Sequence, residues 1–145
     1  MRALLDVDVL IALLDGSHAF HRQAHAWWAT NSQSGWASCP LVENGVTRIM
    51  STPGYSSSQR FTVEQVVNAL AQFAAATNHE FWPDTPSLRD AGVFAVDRIH
   101  SGKHLTDLYL LALAVERGGR LVTFDQGIML SAVKSAHSRN LVLLP

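Results

Sequence analysis

Twelve carboxylates are spread over 145 residues, and several sit where a charge has no ordinary reason to be. Asp6 closes the apolar run Ala3-Leu4-Leu5, with Asp8 two positions on, and Asp125 closes Leu121-Val122-Thr123-Phe124. Asp107 opens a stretch that continues as Leu108, Leu110, Leu111 and Ala112, while Glu43 borders the stripe Val42, Val46 and Ile49. An unpaired charge beside such apolar sequence is costly. Taken singly, each acid is explained by a helix start, where free N–H groups and the helix dipole favour negative charge. Taken together they repel one another, and only two lysines, Lys103 and Lys134, are present to help neutralise them. Mg²⁺ or Mn²⁺ resolves that conflict, because hard divalent cations take oxygen ligands and retain waters that can be used in hydrolysis.

Those acids must be positioned by the surrounding elements. Arg2–Asp6, Arg120–Asp125 and Asn140–Leu144 are short continuous apolar runs, the pattern of strands covered on both faces in a parallel sheet. Gly35–Ser38 and Glu80–Trp82 are shorter runs of the same kind, giving about five strands. Between them the period is helical. Ser17 is placed to cap a helix to about Thr30, Pro40 suits the first position of the next, and Thr62 with Gln65 forms a capping box. Thr85-Pro86 predicts another helix start, Thr106 a cap for Asp107–Arg117, and Gly118-Gly119 a stop. Alternating helices and buried strands predict an α/β three-layer domain over residues 1–145, with a central, mainly parallel sheet flanked by helices. Acids that close strands of such a sheet lie at the end where ligands bind.

Four blocks carry a family resemblance: Leu4-Leu-Asp-Val-Asp-Val-Leu-Ile-Ala-Leu-Leu14, Leu41-Val-Glu-Asn-Gly-Val-Thr-Arg48, Leu105-Thr-Asp-Leu-Tyr-Leu-Leu-Ala-Leu-Ala114 and Leu121-Val-Thr-Phe-Asp-Gln-Gly127. In this order they resemble the PIN-domain ribonucleases, and more narrowly the VapC-type toxins of bacterial toxin–antitoxin pairs. The resemblance implies that Asp6, Glu43, Asp107 and Asp125 form an acidic quartet holding one or two Mg²⁺ ions, with Thr123 orienting the site. Asp8 stands where the family often has Asn, as a further ligand or as a hydrogen-bonding support. It also implies an endoribonuclease that cuts RNA by metal-activated water, a VapB-like antitoxin and a homodimer. Arg48 and Tyr55 flank the polar loop after the Glu43 helix, where an RNA phosphate or unpaired base would lie.

Other chemistry is weaker or excluded. With 48% hydrophobic and 16% charged residues the chain is globular, and its net charge of −1 gives no general basic field for nucleic acid. No apolar run reaches the roughly 18 residues of a membrane span, and a cytoplasmic protein is expected. Cys39 stands alone, so neither an internal disulfide nor a cysteine zinc site can form. His21 and His25 have zinc-compatible spacing, but a polar helix face explains them. Trp27 and Trp28 are expected to pack rather than to stack on bases. Two other functions fit parts of the sequence. Asp6-Val-Asp-Val9 also resembles the opening motif of haloacid-dehalogenase-like phosphatases, with Asp6 as nucleophile and Asp8 as acid–base, which leaves Glu43 and Asp107 unexplained. The other is a PIN-like domain that only binds RNA or a partner.

Overall fold

The computed structural model describes residues 1–145. Five strands form one sheet in the order β3-β2-β1-β4-β5: β1 is Ala3–Leu5, β2 Trp36–Ser38, β3 His79–Phe81, β4 Arg120–Thr123 and β5 Leu141–Leu143. Every pairing is parallel. β1, the innermost strand, pairs Leu4 with Ala37 of β2 and with Leu121 of β4. Its three residues are buried, as are Leu121, Val122 and Thr123, which is why both strands read as unbroken apolar runs.

Five α-helices flank the sheet: α1 Val7–Leu14, α2 His21–Asn31, α3 Pro40–Ser51, α4 Val63–Ala76 and α5 Leu105–Glu116. α3 packs on α1 and α4, α2 packs on α1, and α5 runs along β4 and β1. Gly45 marks the closest approach of α3 to α1, since a Cβ there would come within 2.9 Å of Val7. The bulk of α5 is buried, including Leu108 and Leu110 through Ala114, so its uniformly apolar sequence follows from its central position. Trp28 packs against Trp36 and Phe73, and Trp27 lies beneath the Arg120 guanidinium. The tryptophan pair therefore packs, as expected.

α1 follows β1 directly, with Asp6 capping it by accepting the Val7 N–H. Three local expectations are corrected. Ser17 does not cap α2; Asp15 accepts the Ser17 N–H and holds a turn that delays the helix to His21. No helix follows Thr85-Pro86. There Ser87 accepts the Arg89 N–H and Asp90 the Gly92 N–H, so side-chain turns replace the helical ladder. Thr106 lies inside α5 rather than capping it, because Ser101 starts a single 3₁₀ turn, Gly102–His104, that leads directly into the helix. The Thr62–Gln65 capping box and Pro40 at the start of α3 form as expected.

At the amino ends of the strands, Arg2 laces the sheet together. Its guanidinium donates to the Trp36 and Asn78 carbonyls and pairs with Glu80 at 3.1 Å. Gly119 enters β4 beside it, where a Cβ would lie 2.7 Å from the Arg2 carbonyl oxygen and 2.9 Å from the Trp82 ring. Backbone cannot yield there as a flexible side chain can. Gly119→Ala is therefore expected to cost on the order of 1–3 kcal/mol through overpacking, read as a melting temperature lower by several degrees.

Candidate active site

β1 and β4 lie side by side where the strand order reverses, with β2 and β3 to one side and β5 to the other. The crevice beyond the carboxyl ends at such a switch point is the natural ligand site of a parallel sheet. Asp6 leaves β1 at this point and Asp125 follows β4. Thr123, fully buried at the end of β4, joins them: its hydroxyl donates to Asp6 Oδ2 at 2.6 Å and accepts the Asp125 N–H at 3.0 Å. Asp6 Oδ1 accepts the Val7 N–H at 2.7 Å, so both of its oxygens are fixed. Asp125 Oδ1 accepts the Gly127 N–H at 2.8 Å.

Asp107 enters from the first turn of α5 and Asp8 from the first turn of α1. With Asp6 and Asp125 they line one open cavity of about 710 Å³, whose opposite wall is Asn44, Gly45 and Arg48 of α3. None of the four acids forms an ion pair, the one salt bridge being Arg2–Glu80. Burial, the Asp125 hydrogen bond and the nearby charges of Asp6, Asp125 and Asp8 push the Asp107 carboxyl up to about 8. Asp125 is held below the usual carboxylate range, first by the hydrogen bond from Asp107 and then by the Gly127 N–H. Asp6 is raised, because burial outweighs its hydrogen bonds to Thr123 and Val7. The two neighbouring carboxyls are thus pushed in opposite directions, Asp107 up and Asp125 down.

No three of these side chains are arranged to grip one ion as they stand. The donor chemistry is nevertheless that of a hard cation: several carboxylates in an open pocket, with no ion-paired cation and no sulfur ligand nearby.

Glu43 is not brought to this cavity. Its carboxylate accepts the Ser38 hydroxyl at 2.6 Å, and Ser38 in turn meets His79 Nε2 at 2.7 Å, so the side chain turns toward the ends of β2 and β3. It lines a neighbouring groove between α3 and α4. Glu43 thus stands apart from Asp6, Asp107 and Asp125 in this structure, while Asp8 lies beside them. The Tyr55 hydroxyl donates to buried Asp15 at 2.6 Å and its ring packs against Phe61. Arg48 is exposed and lines both the acid cavity and the groove. His21 hydrogen-bonds the Ala12 carbonyl through Nδ1, and no histidine group is arranged to hold a metal.

A family model described as "PIN domain" matches residues 3–134. The chain is 47% identical over 144 residues to ribonuclease VapC44 of Mycobacterium tuberculosis, covering 99% of this chain and 100% of that protein. This chain belongs to the PIN-domain family. Within it, ribonuclease VapC39 of Mycobacterium tuberculosis is 42% identical over 135 residues, covering 91% and 94% of the two chains. The fold also matches a crystal structure of VapBC2 from Rickettsia felis bound to a DNA fragment from their promoter, with a TM-score of 0.58, 12% identity and full coverage of both chains. In this PIN domain, sequence reasoning missed Ser38 and His79. Ser38 could have been found, since it closes β2 as Asp6 closes β1; His79 could not, because only the pairing of β2 with β3 brings it near.

A raised carboxyl makes stability fall with pH. Between the ordinary carboxylate value and about 8, folded Asp107 keeps a proton that the unfolded chain has released, and that difference costs stability as pH climbs. In excess chelator, Asp107→Asn is expected to melt above the wild type at pH 8, by a margin that narrows toward pH 5. A pH-independent margin in circular-dichroism melts would contradict the raised Asp107 carboxyl.

Proposed function

We propose that this chain is a divalent-metal-dependent endoribonuclease acting as the toxin of a toxin–antitoxin pair. One observation carries the reading: Asp6, Asp107 and Asp125, with Asp8 at the rim, converge without an ion-pair partner on one open cavity at the switch point of a VapC-like chain. Asp6, Asp107 and Asp125, with Glu43 of the first turn of α3 as the fourth acid, would hold Mg²⁺, with Mn²⁺ able to substitute. When bound, the ion supplies a water acidic enough to attack near neutral pH and a positive charge for the phosphodiester oxygens.

The chain's own residues set the conditions for that chemistry. Thr123 and the Val7 N–H fix the Asp6 carboxylate, so its orientation is in place before substrate arrives. Asp107, its carboxyl raised, and Asp125, its carboxyl lowered, would both serve such an ion as oxygen donors. Arg48, on the opposite wall, meets the negative charge of the RNA backbone. The open cavity admits a single strand. A phosphatase of the haloacid-dehalogenase type is disfavoured because a PIN-domain family model matches residues 3–134 and the phosphatase reading leaves Glu43 and Asp107 unexplained. A pure binding role leaves the uncompensated acids without purpose.

As partners, a VapB-like antitoxin and a second copy of the chain complete the proposal. An inserted antitoxin arginine would neutralise the acid cluster and keep metal out. No helix is long and apolar enough to cross a membrane.

Purified protein is expected to cut single-stranded RNA with Mg²⁺ or Mn²⁺ and to stop in excess chelator. Asp6→Asn, Asp107→Asn and Asp125→Asn should each lose on the order of 100-fold or more while keeping the wild-type circular-dichroism spectrum. Undiminished cutting in chelator would overturn metal dependence. Millimolar Mg²⁺ should raise the melting temperature of the wild type more than that of Asp107→Asn, since only binding to the folded state stabilises it. Expression of the chain alone should slow host growth, and Asp6→Asn should relieve it; a host that tolerates the wild type at high level would refute the toxin role.

A further inference from the structure

A single lysine or arginine lines the acid cavity, Arg48 on the α3 wall. The acids that attract a cation also repel every phosphate beside it, so a strand laid across them needs positive groups on both sides. The turn that leads into α5 supplies the second side. Gly102–His104 is one 3₁₀ turn started by Ser101, which accepts the Lys103 N–H, and α5 follows without a break. Positions three and four apart on such a turn share a face, which puts Lys103 on the side of Thr106 and Asp107, both lining the cavity.

Two side chains of this turn have no partner within the protein. Lys103 is exposed and meets no acid, the one salt bridge being Arg2–Glu80. In the His104 ring, Nδ1 is buried without a hydrogen bond, which leaves Nε2 as the nitrogen that reaches solvent. A proton on Nε2 can be given to water or phosphate and one on Nδ1 to nothing, so the ring presents Nε2–H outward. Both groups lie close to Asp125. A Cβ on Gly127 would come within 3.2 Å of His104 Cε1 and 3.3 Å of Asp125 Oδ1, so ring and carboxylate border the same glycine. After the hydrogen bonds involving Asp107 and Gly127, the charges of His104 and Lys103 help to hold the Asp125 carboxyl low. Just upstream the chain adds exposed Arg98 and His100.

We infer that Lys103 and His104 are RNA-contacting residues that hold a phosphate next to the cleaved one, on the α5 side of the cavity and opposite Arg48. The inference rests on the ribonuclease reading above and adds the path of the strand, which crosses the acids from α3 to the start of α5. His104 Nε2–H gives one directed hydrogen bond to a phosphate oxygen. The Lys103 ammonium, on its flexible stem, supplies charge without demanding a single geometry.

The test is the salt dependence of binding between a short single-stranded RNA of mixed sequence and the full chain in excess chelator. Each lost phosphate contact lowers the slope of log affinity against log salt by about 0.7 for a single strand. Lys103→Gln should show that drop and Lys103→Arg should restore the slope. Lys134→Gln, which removes the same charge from an exposed residue outside the cavity, should leave it unchanged. His104→Phe keeps a ring and removes Nε2–H, and should weaken binding on the order of 10-fold, as expected for one hydrogen bond to a charged group. Lys103 is exposed, so its variants carry the test should His104→Phe not fold. An unchanged slope in Lys103→Gln, an equal fall in Lys134→Gln, or wild-type affinity in folded His104→Phe would overturn the inference. Cleavage with Mg²⁺ is scored separately, and in Lys103→Gln its loss should fall on KM rather than on kcat. Cutting with an unmoved slope refutes the phosphate contact alone, and a lowered slope with no RNA cut by the wild type refutes the nuclease alone.

Discussion

Adjacent parallel strands that both end in aspartate force two carboxylates into one crevice, and much of the molecule is arranged around that enforced repulsion. The register of β1 against β4 leaves Asp6 and Asp125 little freedom to separate, and α5 adds Asp107 to the same space. Three devices keep the arrangement foldable. The amide of Val7 and the Thr123 hydroxyl hold Asp6, the Gly127 amide holds Asp125, and burial with the neighbouring charges raises the Asp107 carboxyl. None of these devices consumes the acids in ion pairs, and they still line the open cavity. A fold selected for stability alone would have put an arginine there.

Thr123 is the most economical of these devices. Its hydroxyl proton goes to Asp6 while its oxygen takes the Asp125 amide, so one buried side chain satisfies the end of β4 and orients the neighbouring strand's carboxylate. Valine would fill the same volume and leave both partners wanting. Arg2 performs the opposite task at the amino ends, where it ties β1 to β2 and β3 with no acid chemistry in reach. The two ends of the sheet thus divide the labour, one holding the strands together and the other tolerating charge.

Much of the architecture was legible because the signals were local. Buried strands announced themselves as unbroken apolar runs, and Thr62 with Gln65 or Pro40 marked helix starts through their nearest neighbours. The errors were also local in cause. Asp15, Ser87 and Asp90 spend their side chains on turns, and nothing in a count of apolar periods reveals that choice. For the site, strand-terminal position and apolar surroundings picked out Asp6, Asp107 and Asp125. The contacts of Glu43 were not legible, because His79 reaches its partner Ser38 only through sheet pairing. Nor was the Tyr55 hydrogen bond, its partner Asp15 lying forty positions earlier.

The hydrogen bond from Thr123 to Asp6 spans 117 positions of sequence. The acid crevice is therefore a property of the whole sheet: no segment that lacks either β1 or β4 can contain it, and a cut anywhere between the two strands would leave Asp6 joined to Asp125 only through the pairing of those strands.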